Sequence, residues 1–149
     1  MAAIHPTALK VQERLHAMGV DVVVQVLPDS TRTAVEAAAA CGCELGQIVK
    51  SLVFVDEASG EPVVCLWAGD HRVPELELGL RRASAQEVRD ATGFAVGGVP
   101  PVGHDRPLRT VLDDSLHRFD RVWCAAGTPH AVFEVGVAEL ARATGAGGT

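Results

Sequence analysis

Apolar residues recur along this chain at two different spacings, which predict helices and strands in irregular alternation. Ala8, Val11, Leu15 and Met18 follow one another at three or four residues, so an amphipathic helix is expected there, ended by Gly19. Continuous or alternating runs of β-forming residues predict strands at 20–27, 47–55, 62–68, 109–112, 121–125 and 131–135.

Polar residues at helix starts predict the remaining helices. Thr33 with Glu36 and Ser84 with Glu87 match capping boxes, which open helices at 34–41 and at 85–92. A short helix is also expected at 75–82 and a closing helix at 137–144, with 145–149 frayed. Hairpins dominate the second half. The pattern therefore predicts an α/β (α+β) fold, a single domain over residues 1–149 with packed helices on a curved, mixed, mostly antiparallel sheet.

Composition narrows the classes of function. The chain has 149 residues, 48% of them hydrophobic, which is enough for one sizeable core. A net charge of −6 argues against gripping nucleic acid by charge alone, because such binding comes mostly from neutralised phosphates. No run approaches the roughly 18 apolar residues of a membrane helix, and the start lacks the apolar region of a signal peptide. We therefore expect a cytoplasmic protein with no membrane partner.

The cysteines and histidines give little support to a metal site. The four cysteines form no CxxC pair, and the six histidines show neither an HxxxH nor an HExxH spacing. We expect four reduced thiols, no bound metal and no cofactor.

Lys50 places a cation inside an otherwise apolar strand, just before a hairpin. An unpaired lysine is costly to bury, so a functional role is one interpretation. The other is a strand-edge lysine whose stem covers apolar surface while its ammonium reaches water. The strand itself does not distinguish them.

The stretch 94–104 contains two glycines and two prolines, which predict a stiff loop without helical or sheet pairing. Consecutive free amides from Gly97 to Val99 can form a concave site for an anion or a carbonyl. An ordinary tight connection between two elements explains the same composition.

Three stretches, 47–54, 97–104 and 126–130, occur together in this order and resemble the YbaK and prolyl-tRNA synthetase-associated editing domain family. The similarity extends from the first strand to the last helix. It implies a domain that hydrolyses amino acids wrongly attached to tRNA, most often the tRNA for proline. Because no synthetase domain accompanies it, the chain looks like a free-standing version.

The resemblance also implies which residues form the site. Lys50 matches the lysine on which activity in the family depends, and the stretch from Gly97 to Pro101 matches a loop whose backbone holds the aminoacyl carbonyl. The residues expected in catalysis are Lys50, Gly97, Gly98 and Pro101. Those expected in substrate binding are Ser51, Val99, Pro100, Gly127, Thr128, His130 and Val132.

The amino-acid preference of the family does not carry over directly. Some members that remove cysteine have an aspartate where Val132 aligns, and this chain has no tyrosine to supply their pocket tyrosine. The small apolar side chains of Ala125, Ala126 and Val132 favour a small substrate, alanine or cysteine before serine, on the tRNA for proline. Local positive potential is expected around one mouth, the opening of the substrate pocket. It would come from Lys50, Arg72, Arg81, Arg82 and Arg109.

Several alternatives stay open at this point. Lys50 can orient the ester or a phosphate, or act as a base if desolvation lowers its pKa. The expected partners are the 3′ end of aminoacyl-tRNA and prolyl-tRNA synthetase, and both a monomer and a homodimer are compatible with the sequence. A non-catalytic module that binds aminoacyl-tRNA or a nucleotide would keep the same loops. A protein-interaction subunit would instead fill the pocket with its own side chains.

Overall fold

A computed structural model of the protein describes residues 4–28, 33–145 and 147–148. The described helices are α1 (Pro6–Ala17), α2 (Ala34–Cys41), α3 (Ala85–Thr92) and α4 (Val137–Thr144), with 3₁₀ turns at Leu45–Gln47 and Asp114–Arg118. The strands are β1 (Gln25–Val26), β2 (Val49–Asp56), β3 (Pro62–Ala68), β4 (Leu80–Arg82), β5 (Arg109–Leu112), β6 (Arg121–Ala125), β7 (Ala131–Gly136) and β8 (Gly147–Gly148).

The strands form two sheets instead of the single sheet expected. One is antiparallel with the order β1-β7-β6, and the other is mixed with the order β4-β2-β3-β5-β8. The pairs β3–β5 and β5–β8 are parallel, whereas the remaining pairs are antiparallel. Among the residues described, one isolated parallel bridge, between Ile48 and Trp123, connects the sheets. The mixed, mostly antiparallel α/β architecture is thus confirmed.

The β2–β3 hairpin is the centre of the larger sheet. Its register pairs Lys50 with Trp67 and Ser51 with Leu66. Because side chains alternate along a strand, the two faces of the hairpin pack differently. Val53 and Leu66 belong to the main core, while Phe54 and Trp67 belong to a second, smaller cluster.

Both predicted capping boxes are confirmed at the starts of α2 and α3. The Thr33 and Ser84 hydroxyls accept the amides of Glu36 and Glu87, and each glutamate accepts the cap residue's amide in return. Four of the backbone donors that a helix start leaves unpaired are satisfied in this way. The two capping boxes fix where α2 and α3 begin on either side of the hairpin.

The predicted strand 20–27 is wrong over most of its length. Val22 and Val24 are buried and Val23 is exposed, so the alternation is present, but only Gln25–Val26 pairs with another strand. The backbone before it is bonded by side chains of α1 instead. The Gln12 carboxamide accepts the Val24 amide, and the His16 ring contacts the Val22 carbonyl oxygen at 2.8 Å.

Two further predictions also need correction. The expected helix 75–82 is a series of turns followed by β4, because Gly79 takes a φ of +68° that ends any helix before the buried Leu80 pairs opposite Asp56. The expected frayed end is wrong at Gly147–Gly148, which pair with β5. Residues 146 and 149 lie outside the described residues. None of the described helices is long and apolar enough to cross a bilayer.

Candidate active site

A cavity of about 1060 Å³ opens along one edge of β2. On that side β2 pairs with β4 only over Phe54–Asp56, and the bridge at Ile48 reaches β6. Between these two points the strand edge faces the cavity instead of another described strand. The wall combines residues from β2, from the segment after β3, from the loop before β5 and from β6 and β7, including Val49, Lys50, Ser51, Arg72, Val73, Leu76, Arg82, Val96, Gly97, Val99, Trp123, Ala125 and Val132.

Lys50 lies in this wall with its stem half-buried opposite Trp67. Its ammonium donates a hydrogen bond to the His71 carbonyl oxygen at 2.5 Å. Desolvation by burial lowers the pKa of Lys50, Asp70 and Asp113 raise it, and Arg72 lowers it. The ammonium is therefore held by a backbone carbonyl in a partly desolvated place, and it remains beside open space that a ligand can enter.

The loop before β5 contributes backbone to the same cavity. Gly97 and Val99 line it, and their amides have no hydrogen-bond partner within the described part of the chain. The Gly98 amide donates to the Ala95 carbonyl oxygen at 3.1 Å, so the expected run of three free amides is wrong at its middle position. Two open donors, in a glycine-containing loop that lines the same cavity as Lys50, remain available to an oxyanion.

The remaining residues of that loop are buried or pack against neighbouring elements. Pro100 and Pro101 are buried and do not line the cavity, and the His104 ring contacts the Pro100 carbonyl oxygen at 2.8 Å. Burial lowers the pKa of His104. Gly98 packs so closely against Gly127 that a Cβ there would lie 2.7 Å from the Gly127 carbonyl oxygen. Only glycine permits the two loops to approach this closely.

The remaining predicted site residues divide between two cavities. Ser51 and Val132 line the large one, and the buried Ser51 hydroxyl has no hydrogen-bond partner among the described residues. Gly127, Thr128 and His130 line instead a smaller cavity of about 430 Å³, together with His5 and Arg89. The structure therefore does not bring all of the predicted substrate-binding residues into one space.

The cations predicted around one mouth do not all line the same cavity. Arg72 and Arg82 line the large cavity with Lys50, and no described carboxylate lies within ion-pair distance of Arg72. Arg81 pairs with Glu87 and Arg109 with Asp56, both at 2.9 Å, and neither arginine lines the cavity. Arg72 is thus the exposed cation best placed to meet a ligand's phosphate beside Lys50.

Sequence reasoning did not single out Asp113. The side chain is 8% exposed and its Oδ2 lies 3.3 Å from Nδ1 of His71, the residue whose backbone carbonyl accepts the Lys50 ammonium. A carboxylate immediately after an apolar strand was the signal, but its contact with residues more than 40 positions earlier is visible only in the fold.

The thiol on the cavity wall is unsuited to nucleophilic chemistry. Cys124 lines the cavity as a free thiol, and complete burial raises its pKa well above the usual range. A thiol in such surroundings is a poor nucleophile, because the thiolate is the reactive form. No group of three or more potential metal ligands is found in the described part of the chain.

The sequence of this chain is similar to those of several known proteins. The family model of the aminoacyl-tRNA editing domain matches residues 28–143. The uncharacterized protein YwhH of Bacillus subtilis is 32% identical over 119 residues, covering 76% of this chain and 75% of YwhH. The proline–tRNA ligase of Bacillus licheniformis is 33% identical over 96 residues, but these are only 16% of the ligase and 60% of this chain.

A solved structure agrees with the whole described fold. A crystal structure provisionally described as a trans-editing enzyme for prolyl tRNA synthetase is 46% identical and superimposes with a TM-score of 0.90. The superposition covers 99% of this chain and 97% of that one.

Proposed function

The chain belongs to the aminoacyl-tRNA editing domain family, and from this membership we propose that it hydrolyses the ester between tRNA and a wrongly attached amino acid. We further propose a small amino acid, alanine or cysteine, on the tRNA for proline as the substrate. One observation carries the proposal. The half-buried ammonium of Lys50 and the open amides of Gly97 and Val99 lie on the wall of one cavity.

The chemistry needed from this cavity is modest. An aminoacyl ester is already activated, so hydrolysis requires a positioned water, a polarised carbonyl and a stabilised oxyanion. Backbone donors held in a stiff loop stabilise an oxyanion without reorganising, and the amides of Gly97 and Val99 suit this role. Lys50 orients the ester or the adjoining phosphate, and a hydroxyl of the terminal ribose can assist the water. On this proposal no general base from the protein is required.

The shape of the cavity supports a small amino acid joined to a larger group. About 1060 Å³ lies just above the usual range for small-molecule sites and exceeds the needs of a single small side chain. Ala125 and Val132 form an apolar part of the wall that suits a methyl or thiol group. The remaining volume, beside Arg72 and Lys50, accommodates the terminal adenosine. The cavity is not filled by its own side chains, which argues against the interaction-subunit alternative.

We propose weak binding of tRNA by this chain alone, with prolyl-tRNA synthetase as the partner that raises the local concentration of substrate. The net charge of −6 limits counterion release, and the cations on the cavity wall are few. A tethered or associated synthetase would convert binding of the 3′ end into a nearly intramolecular event. The proposal includes one editing-type domain over residues 1–149 and a cytoplasmic location.

Deacylation of a panel of charged tRNAs tests the proposed function. The tRNA for proline is charged with alanine, cysteine, serine or threonine and incubated with the protein, with and without prolyl-tRNA synthetase, and correctly charged prolyl-tRNA serves as control. We expect fastest loss of the alanyl or cysteinyl ester. Neighbouring substrates should overlap, since one methylene distinguishes them by only about 1–3 kcal/mol. A preference for a phenylalanyl ester would contradict the small-substrate assignment.

The same protein and charged tRNAs distinguish an enzyme from a non-catalytic binding module. Single-turnover conditions, with protein in excess over charged tRNA, reveal even slow hydrolysis. No acceleration of any ester over its spontaneous loss, combined with saturable binding of a non-hydrolysable aminoacyl-adenosine, would favour a binding module over an enzyme.

A further inference from the structure

A buried carboxylate fixes the turn from which Lys50 is held. The Asp113 Oδ2 atom accepts the Ala68 amide at 3.1 Å and lies 3.3 Å from His71 Nδ1. Its Oδ1 atom accepts the Ser115 amide at 2.9 Å. Two backbone amides and one imidazole ring therefore surround the carboxylate, which satisfies the need of a buried polar group for hydrogen-bond partners.

The carboxylate is itself fixed to the central hairpin. The Asp113 amide donates to the Leu66 carbonyl oxygen at 2.9 Å, two residues before Ala68 at the end of β3. The His71 amide in turn donates to the Ala68 carbonyl oxygen at 3.0 Å, which closes the turn. A continuous set of short contacts thus runs from Asp113 to the carbonyl oxygen that accepts the Lys50 ammonium.

We propose that Asp113 is a positioning residue for Lys50, acting through His71 and the turn after β3 to hold the ammonium at the cavity wall. Asp113 does not line the cavity, so it is not proposed to touch substrate. The inference rests on the proposed function only in that deacylation depends on where Lys50 is held. The contacts themselves can be tested without any substrate.

The neighbouring carboxylate, Asp70, is not equivalent. Both of its oxygens accept hydrogen bonds from the Arg118 guanidinium, at 2.9 and 3.1 Å. No arginine or lysine lies within ion-pair distance of Asp113 among the described residues, and the His71 ring contacts it at 3.3 Å. Asp113 therefore lacks the guanidinium partner that Asp70 has. Both carboxylates raise the pKa of Lys50 against desolvation, Asp70 more than Asp113.

The chain offers an unusually clear probe, because Lys10 and Lys50 are its two lysines. Protein labelled with ¹⁵N-lysine gives one side-chain signal for each, and Lys10, which lies over the Phe94 ring, serves as internal reference. The test compares the wild type with Asp113→Asn, which keeps the shape and removes the charge. Asp114→Asn is the matched control, since it removes the same charge from an exposed neighbouring residue.

We expect Asp113→Asn to lower the pKa measured at Lys50 Nζ and to speed exchange of its ammonium protons, with the Lys10 signal unchanged. Asp114→Asn should leave both signals in place. Deacylation by Asp113→Asn should fall about tenfold, less than the ~100-fold cost of misplacing a reacting group by about an ångström, because asparagine keeps one acceptor oxygen. His71→Ala, which keeps the backbone carbonyl but loses the contact with Asp113, should shift the Lys50 signal in the same direction.

An unchanged Lys50 signal in folded Asp113→Asn would overturn the inference, even if the rate fell, because Asp113 would then act by another route. If Asp113→Asn does not fold, an unchanged signal in His71→Ala overturns it. Failure of the proposed function has a different signature. In that case the wild type deacylates no ester, while the Lys50 signal still responds to Asp113→Asn.

Discussion

Replacing Lys50 by alanine is the most direct test of the proposed site. The substitution removes the ammonium that the His71 carbonyl holds, in the same cavity wall that contains Gly97 and Val99. If that ammonium keeps the ester in its productive pose, its loss leaves the reacting groups unfixed. A misplacement of about an ångström can cost ~100-fold in rate, so we expect deacylation to fall by about two orders of magnitude or more.

The effect of Lys50→Ala on stability should be small, because two contributions oppose each other. The lost hydrogen bond to the His71 carbonyl destabilises the fold by about 1 kcal/mol. Burial lowers the pKa of Lys50, so its charged form is less favourable in the folded than in the unfolded state, and alanine removes that penalty. This penalty is present below the folded-state pKa and disappears as the pH rises past the usual value of 10.5. We expect a net change within about 1 kcal/mol.

Single-turnover deacylation and thermal unfolding by circular dichroism measure the two effects on the same samples. Lys50→Arg separates two roles of the charge, since a planar guanidinium keeps the charge but not the compact shape of an ammonium. Substantial rescue by arginine would indicate simple attraction of a phosphate. Failure of both variants would indicate a geometric or proton-transfer role. Full activity of folded Lys50→Ala would refute the assignment and leave Lys50 as a strand-edge residue whose stem covers apolar surface.

Three other predictions concern the loops, the mouth and the surface. Gly98→Ala should destabilise the fold by about 1–3 kcal/mol, seen as a lower melting temperature, and should reduce deacylation, because its Cβ would lie 2.7 Å from the Gly127 carbonyl oxygen. Gly136→Ala is the control and should destabilise the fold less, because the nearest atom there is 3.8 Å away. Arg72→Ala should raise KM for charged tRNA and reduce the slope of log affinity against log salt by about one, whereas Arg106→Ala should not, and equal slopes would contradict a phosphate contact. The hydrogen bond from Arg81 lowers the pKa of Glu87 from 4.5 to about 2. The wild type should therefore melt at a higher temperature than Glu87→Gln above pH 4.5, and this difference should vanish as the pH falls through about 2. A difference that persists at lower pH would contradict this origin.

Local signals were sufficient wherever neighbouring residues determine the structure. The capping boxes at Thr33 and Ser84 begin their helices as predicted, because both partners of each box lie within one helical turn. The same holds for the β2–β3 hairpin, whose polar turn and flanking apolar runs are adjacent in sequence.

Local signals failed where side chains from elsewhere satisfy the backbone. The run of valines from Val20 to Val24 has the alternation of a strand, yet Gln12 and His16 of α1 contact its backbone and no sheet forms there. The segment 75–82 contains good helix formers, but pairing of Leu80 opposite Asp56 on β2 determines its end. Tertiary contacts override propensity in both segments.

The candidate site shows the same division between local and distant information. Lys50 could be singled out from sequence, because a cation within an apolar strand is locally conspicuous. What holds it could not, since the acceptor is a backbone carbonyl 21 residues away, and a carbonyl leaves no mark in the side-chain pattern. Asp113 is a further step removed, because it acts on a turn built from a different strand. On the proposed function, the chemistry of this cavity therefore depends on a residue that local sequence identifies and on a support that only the fold brings into place.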